Sequence, residues 1–589
     1  MTASSGRPRP TSALAVTILN TDAAGGVGSR TRSPAPGSPV SRHLEMYRDV
    51  IGGELQVEEP ATIDRLATVA SSPRRVPPES KARRALQQAG SVGYDELLDR
   101  HREVWERRWR DADVAIVGDS RAQLAVRFSA YHMISTAFPE DDDVSIGARG
   151  LSGTSYFGHV FWDTEIFVVP FFIYTYPEAA RTMLAYRFHR LDQARAKAVR
   201  FGHKGALFPW ESADTGEEAT PPYGLGPDGQ VVPILSGILE HHISADVAWA
   251  TWEYWKATGD DRFMLAMGAE MILETARFWV SRTSHDEEGH HHIRLVVGPD
   301  EYHESVDDNA YTNVLARWNI RRGLDTSAWL TAEHPGRAAE LRRKLRLTDK
   351  ELHDWRLVAD DMIDGFDPKT KLYEQFAGFF KLDDVDPERL RPRPMPADLL
   401  LGRELVQRSK VVKQADVVMM NYLLADEIPH DVVRANFDYY GPITVHGSSL
   451  SPGIHAAVGA RLGDTEAALE NFRIACDVDL SDNMGNAARG LHMATMGALW
   501  QAAVKGFGGV RRKDDALVID PHLPPGWQKL RFPLRFRGAR VLVEAEREAL
   551  RITIEDAPAA VVLGRRRRVF RPGVHLYGKG LGGTWKETP

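Results

Sequence analysis

Residues 245–258 read ADVAWATWEYWKAT, and their apolar side chains recur at the three- and four-residue spacing of an α-helix. The stretches GAEMILETARFWVSR at 268–282 and ARGLHMATMGALWQAAVKG at 488–506 repeat this pattern. Gly-Asp or Gly-Gly pairs tend to follow such stretches, as expected where helices end. Residues 120–510 therefore predict a mainly α domain of about a dozen helices, whose topology the periodicity leaves open.

The flanks of this helical region have different patterns. Residues 1–44 are rich in Ser, Pro, Gly and Arg and predict a disordered lead. Residues 45–76 alternate and contain a Gly-Gly turn, which predicts a few strands, and residues 77–119 predict a helical linker. Residues 511–589 contain short strand-like runs such as ALVIDP and ARVLVEAE, which predict a small C-terminal β-domain.

Composition excludes several classes of protein. The chain has 589 residues and a net charge of -7, so neither nucleic acid nor an anionic membrane is a predicted partner. It has one cysteine, Cys476, which excludes an internal disulfide framework and fits a cytoplasmic location. Consecutive histidines such as His290–His292 rarely bind one ion, so no metal is predicted. We find no run of the roughly 20 apolar residues that a membrane span needs.

Chemically reactive residues concentrate in a few segments between the helices, where functional groups usually lie. These segments combine Trp and Tyr with carboxylates, amides and hydroxyls. They are GHVFWDTE at 158–165, FPWESADTGEE at 208–218, GPDEYHE at 298–304 with DNAYTN at 308–313, and KQAD at 413–416 with HGSSLSP at 446–452.

This mixture of side chains suits sugar chemistry. Aromatic rings stack on the apolar faces of pyranose rings, while carboxylates and amides bind the hydroxyls. Cleavage of an acetal requires a carboxylic acid that protonates the leaving oxygen, and Glu301, between Pro299 and Tyr302, is the candidate. Spacing alone favours a simpler interpretation, in which Asp300, Glu301 and Glu304 form loop caps and salt bridges.

The segment PITVHGSSLSPGIH at 442–455 bears on the attacking group, because it contains no carboxylate. An inverting hydrolase needs a second carboxylate to activate water. This segment instead offers a histidine, hydroxyls and a flexible backbone that suit a small oxyanion such as phosphate. By itself it is equally compatible with an ordinary Ser-Gly turn at the start of a helix.

Together, these segments resemble glycoside hydrolase family 65, the inverting α-glucoside phosphorylases and their hydrolytic relatives. The resemblance covers about residues 45–589, with FWDTE, GPDEY, NAYTN, KQAD and HGSSLSP in the family's order. It implies a β-sandwich, a helical linker, an (α/α)6 barrel and a small C-terminal β-domain. Residues 45–76 match only the end of the sandwich, so we expect most of that domain to be missing.

The resemblance also implies roles for individual residues. Glu301 is the general acid, and no metal ion or organic cofactor is involved. The donor glucose is held by Trp162, Asp163, Lys413 and Gln414, the acceptor site is bordered by Trp210 and Glu211, and phosphate is held by His446, Gly447, Ser448 and Ser449.

The activity implied by the resemblance is inverting phosphorolysis of an α-glucosyl disaccharide to β-glucose 1-phosphate and a free sugar. The stretches FPWESADTGEE and GILEHHISAD favour kojibiose, with trehalose, maltose and nigerose left open. Two alternatives remain: an acid trehalase-like α-glucoside hydrolase of the same family, or a truncated, non-catalytic sugar-binding remnant. Inorganic phosphate and the disaccharide are the expected small-molecule partners, and homodimer formation is left open.

Overall fold

The computed structural model describes residues 13–19, 66–72, 78–225, 229–386, 397–564, 566–580 and 585–587. The chain divides into two compact units, Met1–Arg107 and Arg108–Pro589. Among the helices of the described ranges, none is long and apolar enough to cross a lipid bilayer.

The first unit contains a pair of antiparallel strands, β1 (Ala13–Leu19) and β2 (Leu66–Ser72). Helix α1 (Pro78–Val92) packs against both, and Thr68 Oγ1 donates to the carbonyl of Ala82 at 2.8 Å. The prediction of a disordered lead over 1–44 is wrong for Ala13–Leu19. That segment is apolar and partly β-branched, and its partner strand lies some fifty positions later, beyond the reach of local composition. The other residues of the lead, and most of 45–76, lie outside the described residues.

The predicted linker over 77–119 contains α1 and α2 (Tyr94–Ala112) and ends in a short strand, β3 (Ala115–Val117). Strand β3 is followed by α3 (Ser120–Thr136), whose first turn is capped by the Asp119 carboxylate, which accepts from Ala122 N at 3.0 Å.

Most of the second unit is an (α/α)6 barrel, as the resemblance implied. Short hairpins and single turns connect its helices. After α3 the helices are α4 (Val169–Thr175), α5 (Pro177–His189), α6 (Leu191–Arg200), α7 (Ser236–Leu239), α8 (Ile243–Thr258), α9 (Asp261–Phe263), α10 (Ala269–Arg282), α11 (Ala310–Glu333), α12 (Pro335–Leu345), α13 (Asp349–Asp360), α14 (Ala397–Leu401), α15 (Arg403–Gln407), α16 (Asp416–Leu423), α17 (His430–Ile443), α18 (Ser451–Arg461), α19 (Thr465–Leu480) and α20 (Met493–Gln501). The hairpin strands are β4 (Tyr223–Leu225), β5 (Val231–Pro233), β6 (Ser284–His285), β7 (His291–His292), β8 (Phe366–Asp367) and β9 (Leu372–Tyr373).

The helices differ in how much of their surface is buried. Helices α4, α16 and α20 are buried at every position, as a helix enclosed by others must be. Helices α10 and α13 are amphipathic: α13 has an exposed face, and the polar side of α10 is half-buried. Helix α8, from which the fold prediction started, is buried almost throughout and ends at Gly259, which has a φ of 73°.

Two sheets complete the second unit. Their strands are β10 (Val510–Lys513), β11 (Ala516–Ile519), β12 (Lys529–Phe536), β13 (Ala539–Glu546), β14 (Ala549–Glu555), β15 (Ala559–Leu563), β16 (Arg566–Phe570), β17 (Gly573–Lys579) and β18 (Trp585–Glu587). The four-stranded sheet has the order β10-β11-β15-β16, and the six-stranded sheet has the order β18-β17-β14-β13-β12-β3. Strand β3 of the predicted linker thus belongs to the C-terminal sheet, with Ile116 opposite Leu530. Arg535 and Arg540 bind the Asp111 carboxylate at 2.7 Å, which fixes the end of α2 to this sheet.

Candidate active site

Glu301 lies in the loop GPDEY, between β7 and α11, with 39% of its side chain exposed. Its carboxylate accepts from Lys413 Nζ at 3.1 Å. The loop packs closely on α16, because a Cβ at position 298 would overlap the carboxylate of Asp416 and the amide of Asn309. The glycine of GPDEY is therefore needed to bring Glu301 to this place.

Asp300, beside Glu301, is the centre of a buried hydrogen-bond network. One oxygen accepts from Lys413 N at 2.8 Å, and the other accepts from His303 Nδ1 at 2.6 Å and Gln375 Nε2 at 2.9 Å. The second ring nitrogen of His303 lies 2.8 Å from the carbonyl of Ser409, so the ring faces two acceptors. Burial opposes a charged ring, but Asp300 outweighs it and raises the pKa of His303.

Asp416 joins the KQAD segment to the loop of Glu301. Its carboxylate accepts from Asp300 N at 2.7 Å and from Asn309 Nδ2 at 2.7 Å. Burial and the charge of Asp300 raise the pKa of Asp416. Gln414 Nε2 donates to the carbonyl of Pro299 at 2.5 Å, so this predicted glucose ligand shapes the Glu301 loop.

Trp162 and Asp163 are neighbours in sequence with different surroundings. The Trp162 ring is only 3% exposed and meets His242 and Tyr311 edge-on, with centroids 5.1 and 6.2 Å apart. Asp163 is partly buried, and burial together with the charge of Glu301 raises its pKa to about 7. Asp163 therefore belongs to the group of charged residues around Glu301. Trp162, by contrast, packs with His242 and Tyr311 in a buried aromatic cluster.

Trp210 and Glu211 are held in the loop after α6. Trp210 is buried, with its ring centroid 5.4 Å from that of His242. Glu211 lies 2.6 Å from His159 Nδ1, and burial raises the pKa of Glu211 although His159 opposes this. Glu218 shapes the loop by accepting from Trp210 N at 2.9 Å and Lys197 Nζ at 2.5 Å.

Four residues that the sequence analysis left without a role form a buried polar cluster beside the rings of Trp162 and Trp210. His242 Nδ1 lies 2.7 Å from Asp246, which also accepts from Tyr311 Oη at 2.8 Å. His242 Nε2 is 3.6 Å from Glu240, and despite burial the two carboxylates raise the pKa of His242 to about 10. The segment EHHISAD could have indicated this cluster, because two acidic residues and two histidines stand immediately before or at the start of an apolar helix.

Glu240 itself is 1% exposed, and neither of its oxygens has a hydrogen-bond partner among the described residues. Burial raises its pKa to about 8, and the charge of Glu301 contributes to the same shift. Its ion pair with His242 is 3.6 Å long, beyond hydrogen-bond distance, and a buried carboxyl group without hydrogen bonds is costly unless a bound molecule supplies them. Glu240 is therefore a candidate contact for a substrate hydroxyl.

The HGSSLS segment forms a tight loop that leads into α18. His446 has a φ of 48°, and its Nδ1 lies 2.8 Å from Ser451 Oγ. Ser448 and Ser449 are mostly buried. Backbone N–H groups at the start of a helix, together with hydroxyls and a histidine, favour an anion.

This loop adjoins the candidate acid through Lys413. Val445 N donates to Val412 O at 3.0 Å, so the HGSS and KQAD segments run side by side. A Cβ at Gly447 would lie 2.6 Å from Tyr302 Oη and 3.3 Å from Lys413 Cγ. Lys413 thus contacts the Glu301 carboxylate with its ammonium and faces the candidate anion loop with its stem.

A second group that the motifs did not single out is the aromatic pair Tyr156 and Phe157. Both have positive φ values, 55° and 52°, and both side chains are exposed. Such strain in bulky residues occurs mostly at functional sites. Although the side chain as a whole is exposed, local burial at its hydroxyl raises the pKa of Tyr156, and the charges of Glu301 and Asp163 add to this, so the residue lies at the rim of the same cluster.

The histidines considered for a metal site have other partners. His292 lies 2.7 Å from Asp308 and 3.2 Å from Asp286. It thereby connects β7 with the cap of α11, a structural role.

Comparison with known proteins identifies the family. Family models for the central catalytic domain, the C-terminal domain and the N-terminal domain of glycosyl hydrolase family 65 match residues 127–501, 510–567 and 3–108. The chain belongs to glycosyl hydrolase family 65. The N-terminal match includes most of residues 1–44, so the expectation that the resemblance begins near residue 45 is wrong.

The relatives include kojibiose phosphorylases. That of Halothermothrix orenii is 43% identical over 480 residues, which cover 81% of this chain and 62% of the relative. That of Thermoanaerobacter brockii is 46% identical over 453 residues, which cover 76% and 58%. The α,α-trehalose phosphorylase of Geobacillus stearothermophilus is 36% identical over 469 residues, which cover 80% and 60%. The chain thus spans about three fifths of these relatives.

One solved structure is similar over most of the chain. It is described as "Putative kojibiose phosphorylase from human microbiome" and superimposes with a TM-score of 0.80 at 26% identity. The similarity covers 87% of this chain and 74% of that one. The fold predicted from the sequence is confirmed by this likeness.

Proposed function

We propose that this chain is an inverting phosphorylase that converts an α-glucosyl disaccharide and phosphate into β-glucose 1-phosphate and a free sugar. The observation that carries the proposal is the position of Lys413. Its ammonium binds Glu301 at 3.1 Å, while its stem faces Gly447 of the HGSS loop. The candidate proton donor and the proposed anion-binding loop therefore adjoin the same lysine side chain.

The reaction needs only one displacement. A phosphate oxygen attacks the anomeric carbon while the bond to the leaving sugar breaks, and Glu301 transfers its proton to the leaving oxygen. Phosphate arrives ionised, so no carboxylate is needed to activate it. Attack on the face opposite the leaving group inverts the configuration, and a proton from phosphate or solvent restores the acid.

Phosphate and the candidate acid are neighbours of the same lysine in this proposal. Lys413 donates to the Glu301 carboxylate, and a phosphate dianion in the HGSS loop adds a second anion beside that lysine. His446, Ser448, Ser449 and the start of α18 are the other ligands of phosphate in this proposal.

The sugar sites follow from the surrounding groups. Asp163, Gln414 and the ring of Trp162 border the proposed donor site, and Trp210 and Glu211 border the acceptor. The unpartnered oxygens of Glu240 are available to a substrate hydroxyl. We favour kojibiose as the substrate, because several similar proteins are named kojibiose phosphorylase, while trehalose and maltose phosphorylases are also among the relatives.

Hydrolysis is the second candidate, because Asp163 and Glu240 are carboxyl groups that feel the charge of Glu301. Burial raises their pKa values to about 7 and about 8, which is a range that suits a general base near neutral pH. Phosphorolysis is favoured because the loop beside Lys413 contains no carboxylate and offers a histidine, hydroxyls and a helix start that suit an anion.

The test is to incubate the full chain with kojibiose, trehalose, maltose and nigerose, each with and without phosphate. We expect phosphate-dependent β-glucose 1-phosphate from one sugar, kojibiose first. Glucose released equally without phosphate would establish the hydrolase. Glucoside binding by calorimetry without turnover would establish a sugar-binding remnant. Homodimer formation and a cytoplasmic location remain predictions, checked by light scattering and by fractionation.

A further inference from the structure

A cavity of about 670 Å³ lies within the second unit. It is lined by the C-terminal half of α8, parts of α11 and α18, the residues after α16 and α20, and strand β10. Eight basic and five acidic side chains line it, an excess of three positive charges. Cavities of this size commonly hold small organic molecules.

This cavity is separate from the candidate active site. Helix α8 connects the two, because His242 precedes its first turn and Lys256 lies in its last turn. His242 and Lys256 are fourteen positions apart, which corresponds to about 20 Å at 1.5 Å per residue, and Trp249, the lining residue of α8 nearest to His242, is seven positions away, about 10 Å. None of the described residues that line the cavity belongs to the candidate active site.

Lys505 is the most unusual residue of the cavity. It is 7% exposed, and its ammonium has no hydrogen bond and no carboxylate partner among the described residues. Its nearest recorded neighbours are the rings of Tyr174 and Trp249, with centroids at 5.4 and 5.8 Å. Burial, followed by the charges of Arg461 and Arg512 against that of Glu253, lowers its pKa to about 8.

Several of the neighbouring cations also lack carboxylates. Arg461 donates to the carbonyls of Lys505 at 2.9 Å and Tyr422 at 3.3 Å. Lys256 Nζ lies 3.7 Å above the ring of Trp255, and Arg537 donates to the carbonyl of Lys256 at 3.2 Å. Three other cations of the cavity do pair with carboxylates: Arg512 with Glu253, Arg511 with Asp426 at 3.3 Å, and Arg322 with Glu427 at 3.9 Å. Within the described ranges, the cavity therefore holds several cations bound only to carbonyls and rings.

Cations that contact only carbonyls and aromatic rings are neutralised only when an anion binds beside them. A phosphate group accepts several hydrogen bonds and carries up to two charges, which matches an excess of lysine and arginine around one buried ammonium, that of Lys505, better than a carboxylate does. We propose that this cavity is a binding site for a small phosphorylated molecule, with Lys505 and Arg461 as the deep ligands of its phosphate and Lys256 at the rim. The remaining volume accommodates the organic part beside the tryptophans. This inference does not depend on the proposed phosphorylase activity.

The test uses calorimetry with pyrophosphate and with glucose 1-phosphate as probes. Because both probes also suit the proposed HGSS site, binding is measured in a His446→Ala background. We expect a complex with at least one probe, weakened at least tenfold by Lys505→Met and unchanged by Lys204→Met, an exposed lysine elsewhere. We expect Lys256→Met, at the rim of the cavity, to weaken binding of the probe by a smaller factor than Lys505→Met.

Each outcome decides the matter. Binding that survives both Lys505→Met and Lys256→Met would overturn the proposal, as would the absence of binding to both probes in the His446→Ala protein. A glucose 1-phosphate complex tighter than that of pyrophosphate supports a site shaped for a phosphate ester. The readout is binding, so a chain without phosphorylase activity is tested equally well.

Discussion

The Asp300 network and the Lys505 cavity both bury charged groups, but they differ in how these are satisfied. Asp300 accepts from three donors, and His303 faces an acceptor at each nitrogen. Lys505 has no such partner among the described residues. A satisfied network fixes a geometry, whereas an unsatisfied cation costs stability until a ligand binds. The Asp300 network therefore supports the geometry of the proposed active site, whereas the Lys505 cavity is a proposed binding site for an anion.

The largest expected effect comes from Glu301→Gln. A general acid typically contributes about 10²–10⁴-fold, so we expect kcat/KM for the disaccharide to fall by about that factor. α-Glucosyl fluoride needs no protonation of its leaving group. With this substrate and phosphate the variant should keep most of its activity, as measured by release of fluoride.

Equal losses on the disaccharide and on the fluoride would show that Glu301 positions the substrate instead of donating a proton. Thermal melting of the variant serves as the control for folding. It should match that of the parent, because Glu301 is partly exposed and its only recorded ion pair is with Lys413.

Asp300→Ala should break the satisfied network. It leaves His303, Gln375 and Lys413 N without their acceptor, and removal of one member of a buried ion pair costs about 3–5 kcal/mol. We expect a large fall in the urea midpoint, measured by tryptophan fluorescence. Glu304→Ala is the matched control, since Glu304 pairs with the exposed Arg403 and should cost less than about 1 kcal/mol. Similar losses in both variants would contradict the central place of Asp300.

Lys505→Met should have the opposite effect to Asp300→Ala: without a bound ligand, it should increase the free energy of unfolding. The pKa of Lys505 is lowered from the ordinary 10.5 to about 8, which corresponds to a cost of about 3 kcal/mol for the buried charge. The folded state loses this proton near pH 8 and the unfolded state near 10.5, so the wild-type protein gains stability as pH rises between them. The advantage of the variant should therefore be full below pH 8 and shrink above it.

Thermal melts of both proteins between pH 7 and pH 9.5 measure this advantage, with Lys204→Met as the control. The charged groups that face Lys505 are Glu253 on α8, Arg461 on α18, Arg512 on β10 and Asp426 after α16. The two arginines keep their charge over this range. A variant that is less stable than the parent at pH 7 would show that Lys505 is satisfied in the folded protein.

Part of the site could be predicted from the sequence. The motifs placed Glu301, Lys413 and the HGSS loop in one site, and the structure brings these together. The motifs did not indicate that Trp162 and Trp210 are almost fully buried. A tryptophan in a loop motif looks the same in the sequence whether its side chain faces a ligand or packs in the core. The sequence did not single out Glu240, because the lack of hydrogen bonds to its carboxyl group depends on which residues surround it in space. His242 contacts it at 3.6 Å.

The sequence by itself determined the helical region, the C-terminal strands and the family, since periodicity and short motifs are local properties of the chain. Only the tertiary structure decided which charges meet. Lys413 and Glu301 are 112 positions apart, and Asp300 and Asp416 are 116 positions apart. It also paired Ala13–Leu19 with Leu66–Ser72 and β3 with β12. Pairing and charge satisfaction depend on distances in space, which residues distant in sequence reach only when the chain is packed.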